Sequence, residues 1–129
     1  GPGAFTIMIA EKIGQSGTVY ALDIHPLAIK AVEQKAQKKN LSNIKTILSD
    51  CSTSLPDNSL DLIIFFDVFH VLNNKEEVLV ELHRVLKLNA TMCFSDHHMK
   101  EEEIVKRLTE NELFKLQRKE RRTFNFGKA

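Results

Sequence analysis

Leu60-Asp61-Leu62-Ile63-Ile64-Phe65-Phe66-Asp67 is the stretch on which the fold turns. It follows a turn signal, Pro56-Asp57-Asn58, and is nearly continuous apolar sequence of strand length closed by an aspartate. A strand reads this way when helices cover both faces of a parallel sheet, so 60–66 is expected to be a buried, central strand. Outward from it, the apolar period switches regularly between helix and strand. Upstream, Phe5, Met8, Ile9 and Ile13 have helical spacing over 4–13, with Gly14 where a left-handed C-terminal cap is expected. Thr18 to Leu22 reads as a short buried strand ending at Asp23. Pro26 opens a helix in which Ile29, Val32 and Ala36 share one face and Asn40 lies near the end. Residues 44–49 read as another strand, ending at Asp50. Downstream, Val78, Leu79, Leu82, Val85 and Leu86 form the stripe of a helix over 75–87, and 90–95 gives a strand followed by Asp96-His97-His98. Glu101 to Glu103 open a further helix with Ile104, Val105 and Leu108 inward. Phe114-Lys115-Leu116 and Phe124-Asn125-Phe126 alternate with period two, as in an antiparallel terminal hairpin.

Alternation at this spacing specifies an α/β, Rossmann-like, doubly wound and mostly parallel sheet with a C-terminal antiparallel hairpin. With 129 residues, a single domain over 1–129 is expected. A net charge of +1, 43% hydrophobic and 27% charged residues exclude disorder and collagen-like repeats. The longest apolar run, 62–66, is far short of the roughly 20 residues that span a bilayer, so no membrane partner is expected. Two cysteines, Cys51 and Cys93, are too few for a disulfide scaffold and read as small buried hydrophobes; a cytoplasmic setting follows as the expectation. The last seventeen residues hold six basic side chains against one acid, Glu120. Protection of an exposed strand edge accounts for them better than nucleic acid, for which no aromatic platform is present.

Ligands of such sheets bind beyond the carboxyl ends of the strands, which singles out Asp23, Asp50, Asp67 and Asp96. Gly1-Pro2-Gly3 places two glycines before a helix, where backbone can approach a ligand closely, although Gly-Pro at a chain start is also what a processing protease leaves. Asp23 follows Gly3 by twenty residues, the distance at which an acid accepts hydrogen bonds from ribose hydroxyls; helix capping is the alternative role for it and for Asp50. A dinucleotide fingerprint beginning at Gly1 would need glycine at position six, where Thr6 stands. His70, His97 and His98 lie beyond strands on the same edge as Asp67 and are candidates for taking a proton, since histidine titrates near neutrality. Adjacent residues on an extended segment point apart, so no metal site is expected at Asp96-His97-His98, and His83 is placed on a helix flank.

Gly1-Pro2-Gly3-Ala4-Phe5-Thr6, Val19-Tyr20-Ala21-Leu22-Asp23, Asp50, Leu60-Asp61-Leu62-Ile63 and Leu82-His83-Arg84-Val85-Leu86-Lys87 together resemble the class I S-adenosylmethionine-dependent methyltransferases, in the small-molecule branch of the ubiquinone and menaquinone biosynthesis type. The resemblance implies that Gly1 and Gly3 line the methionine part of S-adenosylmethionine and that Asp23 binds the ribose diol. Ile24 would pack on adenine, Asp50 would accept from its amine, and the Cys51 backbone would lie beside the ring. Asp67 and its neighbours Val68, Phe69 and His70 would border the methyl group and the acceptor, with Phe65, Phe66 and Phe69 shaping the apolar surface there.

Two departures from the family pattern stand out. Its first strand and the acidic residue ending it would precede Gly1, so the chain is expected to be N-terminally incomplete, with open strand edges that a homodimer could pair. Lys87-Leu88-Asn89-Ala90 replaces a glycine-rich turn, and a changed turn with Asn89 left-handed is expected. Methyl transfer to a small-molecule acceptor is the function implied. A non-catalytic binding or oligomerisation module and a nicotinamide-dependent oxidoreductase are the alternatives.

Overall fold

The structure is a computed structural model that describes residues 3–129. The chain divides into two compact units, Gly1–Thr53 and Ser54–Ala129. No described helix is long and apolar enough to cross a membrane.

The first unit runs α1 (Ala4–Ile13), β1 (Val19–Asp23), α2 (Pro26–Lys38), β2 (Ile44–Leu48). The strands pair in parallel, Val19 opposite Ile44 through Asp23 opposite Leu48. Ile7, Ala10, Val32 and Ala36 are its buried apolar residues. Gly14 ends α1 with φ +74° and ψ −175°, a positive-φ extended conformation and not the left-handed cap expected; it is open essentially to glycine alone. Buried Asn43 holds that helix end, its Nδ2 donating to the carbonyls of Ala10 (3.0 Å) and Gly14 (2.8 Å). At the end of α2, Asn40 is left-handed (φ +54°). The N–H groups of Asn40 and Leu41 return to the carbonyls of Gln37 and Ala36, the paired bonds that satisfy a helix's last acceptors. β1 is not the buried strand expected: Tyr20 and Leu22 are exposed on the face opposite its half-buried residues, and β2 is its sole ladder partner among the described residues.

The second unit runs β3 (Leu60–Phe66), a 3₁₀ turn at Phe69–Val71, α3 (Lys75–Val85), β4 (Leu86–Ser95), α4 (Glu101–Thr109), β5 (Phe114–Glu120) and β6 (Thr123–Lys128). Its sheet has the order β3-β4-β6-β5, with β3 and β4 parallel and β6 antiparallel to both β4 and β5. β3 is therefore an edge strand in this sheet and not the central one expected. Its composition is that of a buried strand, yet Leu62 is left exposed. The terminal hairpin forms as expected, and beyond buried Phe114 the basic residues of β5 lie exposed along the sheet's other edge, where charge discourages further pairing.

The core of this unit is one cluster around Phe69, Leu79, Phe94, Leu108, Phe114 and Phe126. Phe94 stacks on Phe65 (ring centroids 5.6 Å apart) and meets Phe69 edge-on at the same separation. α3 stops at Val85, two residues before the expected end, and β4 begins at once. Leu60 pairs with Leu86 and Leu62 with Thr91, so β4 carries extra residues across 87–90 as a bulge. Asn89 is not among the positive-φ residues, which corrects the expected left-handed turn. The bulge helps form a depression of about 460 Å³ lined by Asn58, Asp61 and residues 87–90, at the end of β3 and β4 remote from Asp67 and Asp96.

Candidate functional site

In the first unit the strand ends of interest are those of β1 and β2. Asp23 closes β1, its carbonyl accepting from the Ser49 N–H at 3.0 Å, so the segments leading to Ile24 and to Asp50 leave the same edge of the pair. Asp23 Oδ1 accepts from the His25 N–H at 2.9 Å, the local bond that turns the chain into α2. This turn bond occupies one carboxylate oxygen without capping α2, whose N-cap is His25, and Oδ2 makes none of the bonds seen among the described residues. Ile24 beside it is 56% exposed, a large apolar surface adjoining an acceptor oxygen. The Cys51 N–H is tied to Ser49 Oγ at 3.1 Å.

Gly3 precedes α1 with φ +82° and ψ −7°. A Cβ there would lie 2.8 Å from Val32 Cγ2, so close packing on α2 requires this glycine whether or not a ligand does. Val32 stands six residues into α2 from Pro26, about 9 Å of helical rise from the edge at which Asp23 sits. The Gly1 assignment lies outside the described residues.

In the second unit the strand ends exchange partners. Asp67 is the first residue after β3 and Asp96 the first after β4. Asp67 Oδ1 accepts from the N–H of His97 (2.7 Å) and from its Nδ1 (2.9 Å). Asp96 Oδ2 accepts in turn from the N–H of His70 (3.0 Å) and its Nδ1 (2.9 Å), while Oδ1 accepts from the His98 N–H at 2.9 Å. Each strand-end carboxylate thus holds a histidine that follows the other strand.

The His97 N–H, and then its ring, hold the Asp67 carboxyl below the ordinary carboxylate range. For Asp96, whose side chain is fully buried, burial opposes ionisation, but the bonds from the His70 ring and from the His98 and His70 backbones outweigh it and keep this carboxyl low as well. A neutral histidine whose Nδ1–H donates to a carboxylate has Nε2 as its acceptor, so His70 and His97 each keep one ring nitrogen for another partner.

The structure thus brings Asp67, His70, His97 and His98 to one end of β3 and β4. Residues 96–99 form a turn, closed by the Met99 N–H on the Asp96 carbonyl, and not the extended segment expected. His97 and His98 still point to different carboxylates, while His98 stacks on His70 with ring centroids 4.0 Å apart. Asp96 is singled out by its place after β4, which repeats that of Asp67 after β3, but its role as the partner that holds His70 was not anticipated. Phe69, expected to shape an acceptor surface, has no exposed surface and belongs to the core. Cys51 and Cys93 are half-buried, not buried, and burial pushes the Cys93 thiol up, away from the reactive thiolate.

The parallel strands, the helices between them and the antiparallel terminal hairpin define the Rossmann-like α/β methyltransferase fold. The structure superposes on a SAM-dependent methyltransferase from Aquifex aeolicus with a TM-score of 0.82 at 26% identity, covering 99% of this chain and 76% of that one. Residues 1–128 match the family model described as a methyltransferase domain, and the chain belongs to that family. A demethylmenaquinone methyltransferase from Geobacillus stearothermophilus is 35% identical over 95 residues, which cover 72% of this chain and 41% of the relative. The chain thus spans about two fifths of that relative's length. The [4+2]-cyclase SpnF shares the fold with a TM-score of 0.77 at 14% identity, over 92% of this chain and 50% of that one. Its name specifies a cyclisation, so the function has to be argued from the residues.

Proposed function

We propose that the chain serves methyl transfer from S-adenosylmethionine to a small-molecule acceptor. The observation that carries this reading is Asp23. It stands at a parallel strand end twenty residues after a helix-opening glycine, with one carboxylate oxygen left over from the bond to the His25 N–H and exposed Ile24 beside it. A vicinal diol needs such an acceptor and a purine needs such an apolar neighbour, so these residues fit the nucleoside.

When bound, S-adenosylmethionine supplies a methyl group activated by the sulfonium. The chain's own residues would do the rest. Asp23 Oδ2 accepts from the ribose hydroxyls while Oδ1, held by His25, keeps the carboxylate from turning away. Ile24 covers a face of adenine, Asp50 accepts from its amine, and the Cys51 backbone lies alongside. Gly3, at the opening of α1, is assigned to the methionine portion. In the second unit, Asp67, His70, His97 and His98 are the residues this reading assigns to the acceptor. His97 is the residue best placed to take a proton: Asp67 fixes its Nδ1, and its exposed Nε2 edge is open to an acceptor hydroxyl, amine or activated carbon. No nucleophile on the protein is required.

Calorimetric titration of the full chain with S-adenosylmethionine and S-adenosylhomocysteine tests the reading. Saturable binding of both is expected, with Asp23→Ala weakening it by at least about tenfold through loss of a charge-assisted pair of hydrogen bonds, and no binding of NADH. Affinity for the nucleosides unchanged by Asp23→Ala, or no binding at millimolar concentration, refutes it.

A further inference from the structure

The bond from His70 to Asp96 joins a larger cluster. One ligating atom from each of His70, Asp96 and His98 lies within 4.8 Å of the other two. We propose that these three side chains form a binding site for a divalent transition-metal ion of the Zn2+ class.

Three features support it. The donor types come first: two imidazoles and one carboxylate suit zinc and its neighbours, whereas calcium and magnesium select sets made of oxygen. Geometry comes second. Tetrahedral bonds of about 2.0–2.1 Å set donor atoms roughly 3.3 Å apart, so the triangle has to contract by at most about 1.5 Å. The third is the state of the central carboxylate. The Asp96 side chain has no exposed surface and is oriented by the backbone N–H groups of His70 and His98, so a negative charge is fixed in place before any ion arrives. Around it the His98 side chain is 65% exposed and that of His70 24%, which gives an ion a route in from solvent.

The ring stack determines what must move. A ligating imidazole carries its ion in the plane of its own ring, and rings 4.0 Å apart at 21° do not aim at a common point. Among the described residues the His98 ring makes no hydrogen bond, its Nδ1 standing 3.8 Å from Asp96 Oδ1, so it is the ring that swings off the stack. His70 keeps its place and gives up its Nδ1 proton to solvent as the ion takes that position beside the Asp96 carboxylate. His97 takes no part, because its ring is engaged on Asp67. Three protein ligands leave a fourth position for solvent.

The test uses the full chain without a histidine tag, stripped with a chelator and titrated with Zn2+ by calorimetry and with Co2+ by visible absorption. No nucleoside or acceptor is present, so failure here leaves the methyl-transfer reading intact. One ion per chain is expected. His98→Ala and His70→Ala should each weaken binding by at least about tenfold, the scale on which even outer-sphere partners of a metal matter. His97→Ala should leave the affinity unchanged, and circular dichroism checks that each variant is folded. Absence of saturable binding at about 1 mM Zn2+, a His98→Ala variant that binds as tightly as the parent, or an equal loss in His97→Ala overturns the proposal.

Discussion

Replacing Gly3 by alanine separates the two reasons a glycine can stand there. The first cost is conformational: at φ +82° an L-residue is left-handed, worth about 1–2 kcal/mol. The second is steric: the new Cβ would sit 2.8 Å from Val32 Cγ2 and 3.3 Å from the Val32 Cα, and forcing a methyl into a packed contact costs about 1–3 kcal/mol. Gly3→Ala should therefore destabilise the chain by roughly 2–5 kcal/mol in a urea titration followed by circular dichroism. The Cβ points at α2, so the damage is to packing, and trimming Val32 should relieve part of it. The Cα at 3.3 Å remains whatever is done to the side chain. The Gly3→Ala/Val32→Ala double variant should thus be more stable than the sum of the single effects by about 1–2 kcal/mol, and no more. Additive costs would show that the two positions do not touch. A Gly3→Ala variant within about 0.5 kcal/mol of the parent, the range of an ordinary surface change, would refute the left-handed conformation itself.

Two further outcomes follow from the second unit. His83 sits on α3 with its ring edge-on to Phe114, and burial, aided by the charge of Lys128, pulls its pKa below 6.5. The unfolded chain then takes up the proton first, so the stability this group contributes is fully present above pH 6.5 and is lost as the pH falls toward the folded value. His83→Gln should flatten the acid side of the stability profile there, and an unchanged slope in denaturant midpoint against pH would count against the assignment. At the bulge, Asn89→Gly should cost about 0.5–1 kcal/mol, because Asn89 does not use a positive φ and glycine only loosens the strand. A rise in melting temperature would restore the left-handed turn expected from the sequence.

Element type was legible wherever the apolar period was long and bounded: α1 over Ala4–Ile13 and β3 over Leu60–Phe66 fall where the spacing of Phe5, Met8 and Ile13 and the run ending at Phe66 put them. Environment was not. A run such as Leu62 to Phe66 reports a composition suited to double-sided cover, but whether a neighbouring strand is present is not written in the strand itself, and β3 is an edge here. The boundary at Val85 to Ala90 failed for a related reason. Helical periodicity carries through Leu86 because an apolar residue at that spacing extends the stripe, and only its pairing with Leu60 shows that it belongs to the sheet. The carboxylates were legible singly, through the rule that ligands gather at strand ends; their partners were not, since hydrogen bonds spanning about thirty residues leave no local pattern.

The exchanged Asp and His partners also explain why a non-glycine residue tolerates the first position after β3. Asp67 is left-handed, φ +56°, a conformation costing about 1–2 kcal/mol for most L-residues. Its own N–H donates to the Ser95 carbonyl at 2.7 Å, and its carboxylate receives both the backbone and the ring of His97, so three bonds offset the strained turn. Asp96 needs no such turn and buries its side chain instead. One arrangement repeated at neighbouring strand ends therefore yields two different groups: an exposed carboxylate and imidazole that can meet a substrate, and a buried carboxylate under a pair of stacked rings. Proton chemistry suits the first, where solvent can exchange with the ring. Ion binding suits the second, where a fixed and desolvated charge would otherwise have only hydrogen bonds to balance it.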